Sequence, residues 1–154
     1  MKTFLPLIGL FFGLALVSCK KNVVSADGQL TGELAVLEEE VMRVHDDVMP
    51  KLSDINELLG QLRTIRENIQ PTPEGSLVLP DGFASAFDNL KLAEHNMWEW
   101  MKAYTDKRNT LNSEDEFRAF FVEQKQSVSK VSTDIYSALE EANQWLAAYS
   151  PNVE

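Results

Sequence analysis

The chain has almost nothing on which a nucleophilic or histidine-based catalyst could be built. Its 154 residues include one cysteine, Cys19, and two histidines, His45 and His95. A single cysteine excludes an internal disulfide and any paired-cysteine metal or redox motif. There is no nucleophile elbow, no phosphate-cradling glycine loop and no His-Glu-x-x-His. No enzymatic activity is expected on these grounds. Positive charge is scarce as well, with 14 Lys and Arg against 24 Asp and Glu. Without a basic stripe to neutralise phosphates, nucleic acid is not an expected partner. The same balance argues against electrostatic attachment to anionic lipid, although Lys20-Lys21 directly after Cys19 are placed to sit against headgroups.

Long apolar runs are missing too, apart from one at the start. Residues 4–17 are nearly all apolar and follow Lys2. That run is too short to span a bilayer comfortably and reads as the core of a secretory signal. Leu16-Val17-Ser18-Cys19 resembles the lipobox of bacterial lipoproteins, in which cleavage before the cysteine is followed by its acylation. Residues 1–18 are therefore expected to be a lipoprotein signal peptide, with palmitate or a related acyl chain on Cys19. Acyl chains contribute about 0.8 kcal/mol per buried CH₂, enough for several chains to hold a protein to a membrane without a spanning helix. Removing Lys2 with the signal leaves 13 basic and 24 acidic residues.

Residues 19–30 are polar and aperiodic and read as a tether. Residues 20–30 reach about 35 Å when extended, at about 3.3 Å per residue. No aspartate follows Cys19, and some bacteria use an aspartate there to keep lipoproteins at the inner membrane. The expected location is the cell envelope, at the outer membrane facing the periplasm.

Residues 31–154 are expected to form one helical domain. Leu34, Leu37, Val41, Val44, Val48, Leu52, Ile55, Leu59, Leu62, Ile65 and Ile69 recur at steps of three and four, the stripe of an amphipathic helix. Pro50 interrupts it, and a proline inside a helix removes a donor and kinks the chain. The stripe holds its phase across Pro50, which favours one kinked helix over two. Residues 70–82 hold Pro71, Pro73, Gly75, Pro80 and Gly82 and read as a loop. A second helix is expected from about residue 83 to 105, with Phe83, Phe87, Leu90, Met97, Trp100, Met101 and Tyr104 inward. Ser113 with Glu116 has the spacing of a capping box, placing a third helix start there. That helix carries Phe117, Phe120, Phe121, Val128, Val131, Ile135, Leu139, Ala142 and Leu146, and Pro151 closes it. No strand-like alternation occurs. The fold expected is all-α, an antiparallel three-helix bundle of coiled-coil character with long first and third helices. It becomes a four-helix bundle if Pro50 breaks the first. The unequal lengths imply a stretch of the long helices left uncovered for a partner.

Methionine placement is the one unusual feature of the pattern. Met42, His45 and Met49 share a face of the first helix within an arc of about 60°, at 100° per residue. Met97 and Met101 lie one turn apart on the second. Thioether and imidazole donors suit Cu(I), and a Met/His pair also ligates haem. The competing reading is core packing, because methionine fills irregular gaps, including one beside the Pro50 kink. His95 points away from Met97 and is placed to meet Glu99 or Trp98 instead. Trp98 and Trp100 face different sides, so one of them, Trp98, is the expected exposed aromatic and a candidate partner contact. Trp145 and Tyr149, four apart, pose the same choice between core and surface. The acidic runs Glu38-Glu39-Glu40 and Asp46-Asp47 read as a solvated face. A di-iron bundle needs Glu three residues before each ligand histidine, and Met42 and Leu92 occupy those places.

His45-Asp46-Asp47-Val48-Met49-Pro50-Lys51-Leu52, with Met97-Trp98-Glu99-Trp100-Met101, resembles a family of short bacterial lipoproteins often labelled "viral A-type inclusion protein". The resemblance implies a lipidated helical envelope protein and brings no activity or catalytic residues. The resulting expectation is a non-enzymatic interaction or structural module of the envelope, with an envelope protein as its partner. The alternative is a Cu(I) or haem binding protein using the Met/His cluster.

Overall fold

The computed structural model describes residues 30–149. The expected signal peptide, Cys19, the tether up to residue 29 and Pro151 lie outside the described residues. The chain is a helical bundle without strands among the described residues, made of α1 (Glu33–Val48), α2 (Lys51–Asn68), α3 (Phe83–Arg108) and α4 (Glu114–Tyr149). None of these helices is long and apolar enough to cross a membrane.

The segments α1 and α2 are two arms of one bent helix, as the unbroken phase of the stripe implied. Met49 and Pro50 both keep right-handed helical dihedrals. Pro50 has no N–H to donate to the Asp46 carbonyl, and its ring crowds that carbonyl. The next bonds shorten to three-residue spacing, Leu52 N to Met49 O and Ser53 N to Pro50 O, both 3.1 Å. The helix bends there instead of ending. Architecturally the bundle therefore has three helices, the first of them kinked.

A seven-residue frame runs through all three. Leu34, Val41, Val48, Ile55 and Leu62 are successive heptad positions, and every one is buried. Phe83, Leu90, Met97 and Tyr104 form one such line on α3, with Ala86, Ala93 and Trp100 as its companion. On α4 the line is Phe121, Val128, Ile135 and Ala142. A strict heptad drifts against the 3.6-residue turn, so helices that keep it wind around one another left-handed.

Ion pairs fix the directions. Arg118 meets Glu33, and seven residues on along both helices Lys125 meets Glu40 at 2.8 Å. Both partners advance together, so α1 and α4 run parallel. Arg108 meets Glu38, whereas His45 lies against Trp100. Here one partner advances as the other retreats, so α3 runs antiparallel to α1. The same is true of α3 against α4, where Tyr104 stacks near Phe120 and Phe83 against Trp145.

The expected capping box forms: Ser113 Oγ accepts from Glu116 N at 3.3 Å, and Glu116 Oε2 accepts from Ser113 N at 3.0 Å and Asn112 N at 2.9 Å. The Asn112 backbone bond, followed by those from Ser113, holds the Glu116 carboxyl below its usual range. The expected uncovered stretch of the long helices is not found. The bent arm α1–α2 matches the length of α4, about 54 Å at about 1.5 Å per residue. The loops close over the shorter α3: Leu79 and Leu111 pack against the core, and Trp145 Nε1 donates to the Asp81 carbonyl at 2.8 Å. Core positions of α4 are accordingly buried from Phe117 to Ala142.

Candidate functional site

Side chains of α1 and α3 meet across the seam between these helices. At its upper end Glu38 takes both nitrogens of Arg108, Nε to Oε1 and a terminal nitrogen to Oε2 at 3.1 Å. Tyr104 Oη donates to the same Oε1 at 3.2 Å. Bidentate guanidinium–carboxylate pairing fixes orientation as well as distance. Burial and then the Glu38 charge push the Tyr104 phenol well above its ordinary range.

One heptad further along, the same register sets His45 level with Met101. The imidazole lies 5.7 Å from the Trp100 ring and its side chain is only 14% exposed. Nδ1 sits 2.8 Å from Asp46 Oδ1. A carboxylate only accepts, so Nδ1 carries the proton and, in the neutral ring, Nε2 presents its lone pair. Among the described residues Nε2 has no hydrogen-bond partner. Trp100 Nε1 is likewise buried and unpartnered among them. A buried N–H left unpaired costs on the order of 1–3 kcal/mol, which phenylalanine in the same place would not incur.

The expected soft donors divide between the core and its edge. Met97 is fully buried on the central line of α3 and behaves as a core residue. Met42, Met49 and Met101 are partly buried and pack at the edge of the core. Among the described residues no three His, Cys, Asp or Glu side chains gather as an ion site. His95 is exposed on α3, and among the described residues no hydrogen bond, ion pair or ring contact joins it to Glu99 or Trp98.

Trp98 is 50% exposed, as its spacing from Trp100 implies. Trp145 packs instead: it meets Phe83 edge-on at 5.4 Å and stacks on Tyr149 at 4.9 Å. Sequence reasoning missed two surface clefts. One, of about 360 Å³, runs between α3 and α4 beside Asn89, Asn96, Lys130 and Glu141. In it Glu141 accepts from Ser85 at 2.6 Å and Asn89 at 2.7 Å, which hold its carboxyl below the ordinary range. The other, between α2 and α4, opens beside Lys51, Glu57 and Tyr136. Neither has a sequence signal, since both arise from residues brought together across the bundle. No family model matches the chain, and no curated protein or solved structure matches it either.

Proposed function

We propose that the protein is a lipid-anchored, non-enzymatic helical module of the bacterial cell envelope, facing the periplasm from the outer membrane. The observation that carries this reading is the pairing of the lipobox Leu16-Val17-Ser18-Cys19 with the direction of the bundle. The first helix starts at Glu33, beside Arg118 near the start of α4. A tether entering there leaves the loop of residues 69–82 and the C-terminal end of α4 at the far end, about 50 Å away at about 1.5 Å per helical residue. The module thus stands away from the membrane and offers side surfaces to a partner, with Trp98 the most exposed large aromatic ring on its flank. Exposed tryptophans are enriched where proteins meet.

Fractionation tests the reading. The native chain sediments with membranes and resists extraction by high salt, since no charge attraction holds it. Cys19→Ser leaves it unprocessed or soluble. A Cys19→Ser chain that is cleaved and still sediments like the native one refutes the lipid anchor.

A further inference from the structure

We infer that the α1–α3 seam at the Pro50 bend is a binding site for Cu(I), with His45 Nε2 and the thioethers of Met42, Met49 and Met101 as its donors. Three features of the seam converge on this. The first is register: Arg108 on Glu38 fixes the two helices, and seven residues along each in opposite senses brings Met101 level with His45. The imidazole of His45 lies 5.7 Å from the ring of Trp100, the residue before Met101. Met42 and Met49, three before and four after His45, share its helix face, where side chains at those spacings are neighbours.

The second feature is the state of the imidazole. Nδ1 lies 2.8 Å from Asp46 Oδ1, which assigns the ring proton to Nδ1 and leaves Nε2 with its lone pair free to bind an ion. A carboxylate behind a ligating histidine is the usual outer partner of a metal-bound imidazole. The third is Trp100, whose ring lies 5.7 Å from the imidazole. A cation against the face of that ring gains from its quadrupole.

The donor set selects the ion. Thioether and imidazole ligands favour Cu(I), and hard cations such as Mg²⁺ or Ca²⁺ want carboxylate and carbonyl oxygen. Met97 is left out because its side chain is committed to the core line of α3. Haem does not fit, because a macrocycle between His45 and α3 would have to displace Trp100. Function as an envelope module does not depend on this site, and the test below reads copper alone.

The test is a competition titration under anaerobic, reducing conditions with bicinchoninate as the chromophoric Cu(I) chelator. It uses the mature chain extracted from membranes, treated with a thiol alkylator so that any unacylated Cys19 cannot bind copper. The expected result is one Cu(I) per chain, with quenching of tryptophan fluorescence. His45→Ala and Met101→Leu each weaken binding by 10-fold or more, Asp46→Asn by about 10-fold, and Met97→Leu leaves it unchanged. Leucine replaces methionine at nearly constant volume, so Met101→Leu and Met42→Leu remain informative if His45→Ala fails to fold. A native chain that does not compete for Cu(I), or folded His45→Ala and Met101→Leu chains that bind as tightly as the native one, overturns the inference.

Discussion

Glu38 and Arg108, seventy residues apart in sequence, lock α1 to α3 through a two-point carboxylate–guanidinium contact that Tyr104 completes with its hydroxyl. The pair is only about a quarter exposed, so truncating one partner leaves the other half-desolvated. Truncating one member of a buried pair costs 3–5 kcal/mol in full burial. Water reaches this one, and Glu38→Ala is expected to cost roughly half of that. Urea unfolding of the native and variant chains measures it.

Tyr104 makes the alkaline limb of stability depend on the same cluster. Its phenol is neutral in folded and unfolded chains below about pH 10, the ordinary value. Above that, the unfolded chain ionises while the buried phenol holds its proton, so unfolding gains and stability falls as pH rises. Tyr104→Phe is expected to lower stability at neutral pH and to flatten its decline between about pH 10 and 11. Denaturant midpoints measured across that range check both signs.

The α4 start offers a smaller and cleaner test. Ser113→Ala removes the acceptor for Glu116 N and is expected to cost about 1 kcal/mol. For a domain of this size that lowers the melting temperature by about 4 °C. Circular dichroism melting reads it directly.

Gly82 has φ of 78°, and a Cβ there would lie 3.1 Å from Trp145 Cδ1. Gly82→Ala therefore meets both a disfavoured backbone region and a crowded indole that is pinned by Asp81. A loss of about 1–3 kcal/mol is expected, accompanied by a shift in tryptophan emission. Gly75→Ala, equally positive in φ but with open space around it, is expected to leave the emission unchanged.

How far these features could be read from sequence depends on their range along the chain. Steps of three and four from Leu34 to Ile69 identify the first helix because periodicity is local, and the phase across Pro50 shows that the helix bends. Ser113 and Glu116 are three residues apart, so their cap is visible as a motif. Trp98 is legible as exposed because Trp100 takes the inward direction. The contact of His45 with Trp100 spans fifty-five residues and depends on the antiparallel register, which no local pattern states. Coverage of α4 by the loops is not legible, because helix length alone does not reveal that Leu79 and Asp81 fold back onto the core and Trp145.

The bundle's resistance to mutation should follow the heptad frame. Ile55→Ala empties a fully buried position on the bent helix and is expected to cost about 2–5 kcal/mol. Val36→Ala, on the exposed face of α1, is expected to stay within about 0.5 kcal/mol of the native chain. Paired urea titrations with equal slopes make the comparison.

Intact-mass spectrometry of the protein extracted from cell membranes tests the central claim most directly. A lipid-anchored module predicts a chain that begins at Cys19, lacks residues 1–18 and carries the added mass of its acyl groups. A chain that retains residues 1–18, or one cut elsewhere with Cys19 unmodified, contradicts it.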